Sequence, residues 1–185
     1  MTEFKEWQKI ARLNRDIVVT EKIDGTNACI YNGVDGEFLV GSRTRWITPE
    51  SDNFGFAKWA YENKEELQKL GEGYHYGEWW GSGIQRGYGL QNGEKRFSLF
   101  NVARWDNDNR PKCCLVVPTL YVGIFDQGKI VECMDILRKE GSKAAPFMNP
   151  EGIVVYHTAS RTLFKATLEK DEKHKFEAQN NGEGW

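Results

Sequence analysis

Metal-binding and disulfide-forming residues are scarce in this sequence. It has only three histidines, and its four cysteines include no Cys-x-x-Cys pair. Cys113 and Cys114 are adjacent in sequence, which makes them poor candidates for a disulfide bond. A structural zinc site needs His and Cys ligands at characteristic spacings, and these are missing. We therefore expect a reduced protein without a zinc centre.

Long apolar runs and an excess of one charge are also missing. No stretch approaches the ~18 apolar residues that a membrane span requires, and no signal peptide opens the chain. The sequence therefore predicts a cytoplasmic protein with no membrane partner. The formal net charge is −2, so any nucleic-acid surface has to be local. The candidates for a local basic cluster are Arg43, Arg45, Arg86, Arg96 and Arg104.

Aromatic residues, in contrast, are abundant. They make up 13% of the 185 residues and include seven tryptophans, some for the core and some able to stack on a flat ligand. The length suits one domain with a proper core, and the chain has no repeat, low-complexity block or linker. A single domain covering residues 1–185 is the prediction.

Short apolar and β-branched runs separated by turn residues dominate the chain. Helical spacing appears in two stretches, residues 54–70 and 130–139, each followed by a glycine. The charged segment from Glu169 to Glu177 is predicted to be a solvated face. The runs predict strands at residues 17–23, 28–31, 38–40, 74–80, 96–105, 115–117, 121–124, 152–156 and 162–167. Together these elements predict an α+β fold with mainly antiparallel sheets and a few helices.

Lys22 occupies a position from which it can react. It ends the first strand, and Asp24-Gly25 supplies a turn that holds it at the rim of a sheet. A lysine amine is protonated at neutral pH, with a reference pKa of ~10.4, but burial or cationic neighbours can expose its lone pair. The alternative interpretation is a surface lysine before an Asx-type turn.

Further residues with suitable chemistry follow Lys22 along the chain. Two carboxylates lie on strands, Glu78 between aromatic residues and Glu151 before a buried run, and Lys165 comes late. Phe100 adds an aromatic ring. Nucleotidyl transfer from ATP needs a nucleophile, carboxylates for a metal ion and the ribose, a ring for adenine and a cation for phosphate. The alternatives are structural ion pairs for the carboxylates and a core position for the ring.

The ordered motifs resemble those of the covalent nucleotidyltransferase superfamily of ATP-dependent ligases and capping enzymes. Thr26-Asn27 and the glycine-rich stretch 77–89 are most similar to the RNA ligase branch. The similarity covers about residues 15 to 175. Its motifs are Lys22-Ile-Asp-Gly, Ser42-Arg43, Gly77-Glu78-Trp79, Leu99-Phe100-Asn101, Glu151-Gly-Ile-Val and Phe164-Lys165.

The resemblance implies a role for each motif residue. Lys22 would carry AMP through a phosphoramidate bond. The implied nucleotide contacts are Glu21 with the adenine edge, Asn27 with the ribose or phosphates, Arg43 with the ribose-phosphate face, Glu78 with the ribose hydroxyls, Phe100 with the adenine ring and Lys165 with the α-phosphate. Glu151 would hold the metal ion.

The resemblance also implies an activity. It points to an ATP-dependent RNA ligase with an adenylation domain similar to an ATP-grasp-like ligase core, using ATP with Mg²⁺ or Mn²⁺. Its partner would be a nucleic acid with 5′-phosphate and 3′-hydroxyl ends, RNA being favoured. The alternatives are a DNA nick ligase, an RNA-capping guanylyltransferase, or a nucleotide- or nucleic-acid-binding module that no longer seals ends.

Two features depart from the family pattern. Thr167 stands where many relatives carry a second lysine, and Arg161 or Lys170 are possible substitutes. The chain also ends soon after Lys165, so we expect neither an oligonucleotide-binding barrel nor a helical module after the adenylation domain. An end-binding protein partner is a further expectation.

The loop 81–87 is not a dinucleotide-binding fingerprint. Arg86 occupies the position of the third glycine, and no strand–helix crossover follows. The loop is interpreted as the mouth of a nucleotide site, with Arg86 touching phosphate, or as a solvated turn. His75 and His157 are interpreted as ordinary packed or surface histidines.

Overall fold

The computed structural model describes residues 2–169 and confirms an α+β fold rich in antiparallel strands. Within this range the chain forms ten strands and three α-helices. The strands are β1 (Asp16–Lys22), β2 (Thr26–Asn32), β3 (Phe38–Gly41), β4 (Trp46–Ile47), β5 (Gly73–Gly81), β6 (Lys95–Leu99), β7 (Leu115–Val116), β8 (Thr119–Ile124), β9 (Gly152–His157) and β10 (Thr162–Thr167). The helices are α1 (Phe56–Glu62), α2 (Lys64–Gln68) and α3 (Gln127–Glu140).

The strands form two sheets. A four-stranded sheet has the order β10-β9-β1-β8 and is antiparallel throughout. A six-stranded sheet has the order β4-β3-β2-β5-β6-β7, in which only β6 and β7 run parallel. The turn after Lys22 carries the chain directly from β1 of one sheet to β2 of the other. The end of β1 therefore lies where the two sheets meet.

Each sheet buries one face against helices. Helices α1 and α2 cover the six-stranded sheet, where Phe56 and Leu67 pack with Trp79 and Phe97. Helix α3 covers the four-stranded sheet, because its buried residue Leu137 joins the cluster that holds β1 and β9. A third cluster joins the sheets and consists of Ile23, Trp80, Tyr88, Val117 and Ala145. This cluster supports the turn that follows Lys22.

Two predicted elements differ from the structure. The predicted helix 54–70 is interrupted at Asn63, whose side-chain amide donates to Trp59 O at the end of α1 and whose carbonyl accepts from Leu67 N in α2. The predicted strand 96–105 was too long, because β6 ends at Leu99. Beyond it, Asn101 accepts the amide of Arg104 in an Asx-type turn that replaces the ladder. The predicted charged face from Glu169 onward lies almost wholly outside the described residues.

None of the helices in residues 2–169 combines the length and the apolar character needed to cross a membrane. The longest, α3, has 14 residues, begins at the N-cap Asp126 and ends at Gly141.

Candidate active site

Lys22 and Glu151 form an ion pair at the junction of the sheets. The distance from Lys22 Nζ to Glu151 Oε2 is 2.6 Å, and the two side chains are only 25% and 17% exposed. The register of β1 with β9 sets Lys22 opposite Gly152, so the residue that precedes β9 reaches the lysine. The sequence predicted both residues separately, and the structure brings them together.

Glu78 is the second carboxylate of the site and is buried in β5. Its Oε1 accepts the amide of Gly25 at 3.0 Å, and its Oε2 accepts from Asn27 Nδ2 at 3.4 Å. A side chain at Gly25 would collide with Trp79 O and come within 2.8 Å of Trp80 Cβ, so only glycine allows the turn to pack against β5. Burial raises the pKa of Glu78 to about 7, although nearby Lys22 and the Gly25 amide oppose this rise.

Tyr88 joins three parts of the site through one hydroxyl. The hydroxyl donates to Lys22 O at 3.3 Å and accepts the amides of Asp24 and Glu151, each at 3.2 Å. The ring is fully buried, and its residue has a positive φ of 49° in the glycine-rich loop. Burial strongly raises the pKa of the Tyr88 phenol, so the group stays protonated and able to donate. Sequence reasoning missed Tyr88.

Arg86 of the same loop forms an ion pair with Asp24 at 3.0 Å. Its guanidinium also donates to the carbonyls of Asn149 and Pro150, just before Glu151. In this structure Arg86 holds the turn after Lys22 to the segment before β9, and its contact with phosphate stays a prediction. The loop is packed against the site and is not a solvated turn.

Glu21 provides a buried acceptor next to Lys22. Only 1% of the residue is exposed, and its Oε2 accepts the amide of Lys143 at 2.7 Å. Its Oε1 has no hydrogen-bond partner within residues 2–169. Burial raises the pKa of this carboxyl, while the hydrogen bond from the Lys143 amide opposes the rise. A buried oxygen without a donor is costly unless a ligand supplies one.

Lys165 lies on the same face as Lys22. Lys165 lies opposite Val154 on β9, and Val154 lies opposite Thr20 on β1. Thr20 and Lys22 are two residues apart on β1, so their side chains and that of Lys165 point to the same face of the sheet. Thr167 pairs with Gly152, directly in line with Lys22. Arg161 precedes β10 at its opposite end, so it does not substitute for the lysine that Thr167 replaces. The other suggested substitute, Lys170, lies outside the described residues.

Phe100 and Arg43 border the site from the six-stranded sheet. Phe100 comes directly after β6, is 41% exposed and donates its amide to Tyr76 O. Its ring therefore belongs to the surface, and the core interpretation is wrong. Arg43 lies in the exposed turn after β3, whose last residue Gly41 pairs with Cys29. Because β2 and β3 are antiparallel, this turn lies beside the first residues of β2, which include Asn27.

The five candidate arginines do not form one cluster. Arg86 pairs with Asp24, and Arg96 pairs with Glu94. Arg104 donates to Leu70 O, at the end of the helical segment that covers the six-stranded sheet. Only Arg43 and Arg45 share a segment next to the site, so the predicted basic surface is smaller than the sequence suggested.

A family model described as RNA ligase matches residues 15–167 of the chain. The chain belongs to the RNA ligase family. The match starts just before β1 and ends at Thr167, so it contains every candidate site residue.

Solved structures of an RNA ligase from Naegleria gruberi are similar to this RNA ligase family member. The structure with PPi has a TM-score of 0.63 and 23% identity over 83% of this chain and 50% of that chain. A mutant with AMP and Mn gives a TM-score of 0.63 and 23% identity over 84% and 50%, and another with ATP and Mn gives 0.59 and 22% over 83% and 50%. At this identity the similarity shows a shared fold.

This chain spans about half the length of the Naegleria chains in these solved structures. No curated protein matches it.

Glu151 of this family member fits a cation that also takes ligands from a substrate. Residues 2–169 contain no group of three or more His, Cys, Asp or Glu side chains arranged to hold a metal ion. Glu151 contacts Lys22 through Oε2, and no hydrogen bond to its Oε1 is present in this part of the chain. Mg²⁺ commonly binds one or two carboxylates together with phosphates and water, and Glu151 fits that arrangement.

Glu78→Gln is expected to stabilise the ligase family member at alkaline pH. The pKa of Glu78 rises from an ordinary value of 4.5 to about 7 on folding, so the folded state binds more protons between these values. The contribution of Glu78 to the stability of the wild type therefore decreases as pH rises through this window and levels off above it. Glutamine carries no charge, so the gain should reach on the order of 3 kcal/mol above pH 7.

Urea unfolding of both proteins at pH 5 and pH 8 measures this difference. Glu62→Gln, which changes an exposed carboxylate on α1, is the matched control and should follow the wild type at both pH values. A gain for Glu78→Gln that is the same at both pH values would show that desolvation of this carboxylate does not set the pH dependence.

Proposed function

We propose that this chain is an ATP-dependent RNA ligase whose residues 15–167 form a nucleotidyltransferase (adenylation) domain with an ATP-grasp-like core. The observation that carries the proposal is the 2.6 Å contact between Lys22 Nζ and Glu151 Oε2. It sets an amine next to a proton acceptor at the junction of the sheets. Glu78 is buried on β5 of one sheet, and Glu21, whose Oε1 has no partner within residues 2–169, precedes Lys22 on β1 of the other.

The first reaction is adenylylation of Lys22. A lysine must be neutral to attack, and Glu151 is the nearest acceptor for its proton. Lys22 Nζ attacks the α-phosphorus of ATP, an N–P bond forms, the bond from the α-phosphorus to the bridging oxygen breaks, and pyrophosphate leaves. A divalent cation, Mg²⁺ or Mn²⁺, neutralises phosphate charge when bound, and Glu151 is the residue that would hold it.

The remaining site residues position the nucleotide. Glu21 Oε1 is suited to accept a hydrogen bond from the adenine amino group, since it has no partner within the described residues. Glu78 and Asn27 would bind the ribose, and exposed Phe100 would stack on adenine. Lys165 and Arg43 supply positive charge from the two sheets, with Lys165 assigned to the α-phosphate.

Sealing then takes place in two further transfers. The 5′-phosphate of an RNA attacks the phosphorus of lysyl-AMP, the N–P bond breaks and Lys22 is released. A 3′-hydroxyl next attacks the 5′-phosphate, a phosphodiester bond forms and AMP leaves. An end-binding partner protein would add substrate surface.

Incubation with α-labelled ATP and Mg²⁺ or Mn²⁺, followed by a denaturing gel, tests this function. We expect a labelled protein band from ATP and none from GTP. Addition of a 5′-phosphorylated RNA should move the label to the RNA. A protein that takes no label with either metal would instead be a binding module, and a label from GTP would indicate a capping enzyme.

A further inference from the structure

Four aromatic rings lie together on an open face of the six-stranded sheet. They belong to Tyr31, Trp46, Tyr74 and Tyr76, and we refer to them as the aromatic platform. Trp46, Tyr74 and Tyr76 are 46%, 56% and 57% exposed. The rings of Tyr74 and Tyr76 are 6.0 Å apart and within 7° of parallel, and those of Trp46 and Tyr74 are 6.2 Å apart and within 20°. Several exposed aromatic rings in contact mark an interaction surface.

The strand registers explain why these rings share a face. Tyr31 pairs with Tyr74, and Cys29 pairs with both Tyr76 and Gly41. Trp46 pairs with Gly41, and its ring lies over that glycine, where a side chain would come within 3.2 Å of the ring. The opposite face is buried under α1 and α2, so the platform face is the one that residues 2–169 leave open to a partner.

The platform continues into the proposed adenylylation site. Tyr76 and Glu78 are two residues apart on β5 and point to the same face. From Glu78 to Tyr74 the strand covers about 13 Å, a distance that a few nucleotides span. Phe100, which donates its amide to Tyr76 O, lies next to Tyr76. The platform is therefore within reach of an RNA strand whose end lies at Lys22.

Positive charge lies beside the rings. Arg45 precedes Trp46 and donates to the carbonyl of Trp46 and to both oxygens of Ser51, all of which are neutral. Arg43 occupies the same turn, and neither arginine forms an ion pair with a residue in the range 2–169. Aromatic rings that stack bases, flanked by arginines that contact phosphates, are the usual means of binding single-stranded RNA.

We propose that the aromatic platform binds unpaired bases of the RNA strand whose end receives AMP from Lys22. This inference rests on the proposed function and adds a substrate class to it: single-stranded RNA next to the joined end. Trp46 and Tyr74 stack on bases, and Arg45 contacts the phosphate backbone of the RNA beside these bases. The platform acts in RNA binding and has no part in the reaction with ATP.

Binding of a 5′-phosphorylated single-stranded RNA of about 12 nucleotides tests the proposal. Trp46→Ala and Tyr74→Ala are each expected to raise its Kd about tenfold, because each removes one stacking surface. Tyr74→Phe keeps the ring and should bind as the wild type does. Tyr61→Ala is the matched control, since Tyr61 is an exposed aromatic on the helix-covered side. Labelling by α-labelled ATP should be unchanged in all four variants.

The results separate the two proposals. Normal labelling with weakened RNA binding supports both, and absent labelling in the wild type with ring-dependent RNA binding supports the platform alone. The platform proposal is wrong if the wild type does not bind this RNA, or if Trp46→Ala and Tyr74→Ala bind it normally. It is equally wrong if the wild type forms a dimer that Trp46→Ala abolishes, because a second copy would then occupy the face.

Discussion

Lys22→Ala is expected to lower labelling by α-labelled ATP at least about 1000-fold, because it removes the proposed nucleophile. The loss should persist at high ATP concentration, since the remaining nucleotide contacts come from other residues. A rise in the apparent KM with normal maximal labelling would contradict a covalent role. Single-turnover labelling over a series of ATP concentrations separates these two results.

Lys22→Arg is the matched variant for this prediction. Arginine keeps a positive charge beside Glu151, so the ion pair at the junction of the sheets is preserved, but a guanidinium is always protonated and cannot attack phosphorus. We expect Lys22→Arg to be as inactive as Lys22→Ala while unfolding at a temperature closer to that of the wild type. Labelling of Lys22→Arg would mean that another residue accepts AMP.

Gly152→Ala is expected to destabilise the protein by about 2–6 kcal/mol, the sum of backbone strain and overpacking. Gly152 has a φ of 155°, which other residues rarely adopt. An added Cβ would collide with Ala166 O and lie 2.8 Å from Thr167 Cα. Since β10 would have to move away from β9, the variant should also lose most labelling from ATP. Urea unfolding and labelling of the soluble fraction measure the two effects.

Gly36→Ala is the control for Gly152→Ala. Gly36 also has a positive φ, 79°, but an added Cβ there has no neighbour within 4 Å. It lies in the hairpin between β2 and β3, away from Lys22. We expect a loss of about 1 kcal/mol from backbone strain and normal labelling. Equal losses in the two variants would show that the close approach of β10 contributes nothing.

Local signals in the sequence were sufficient for most strands. A β-branched run followed by Asp24-Gly25 predicted β1 and its turn, because both preferences are properties of neighbouring residues. The break at Asn63 was not predictable, since the apolar spacing that indicates a helix continues across it. The end of β6 was missed for a similar reason: aromatic residues continue past Leu99, while the turn depends on the side chain of Asn101.

The candidate site was predictable where its residues belong to recognisable motifs. Lys22, Glu78 and Glu151 could be chosen because a charged side chain beside a buried strand needs a partner or a chemical role. Tyr88 could not, because its contacts lie 63 to 66 residues away and its sequence context is only a glycine-rich loop. The aromatic platform was also missed, since it depends on the pairing of four strands.

The Tyr88 hydroxyl has a mechanical consequence for movement between the two sheets. One oxygen joins the end of β1, the turn after it and the segment before β9, which belong to different parts of the chain. Separating them requires the loss of three hydrogen bonds at once in a buried place, which is costly. We expect this point to act as the pivot for any rotation between the sheets. The sheets then move most on the side farthest from Tyr88, while the surroundings of Lys22 stay rigid.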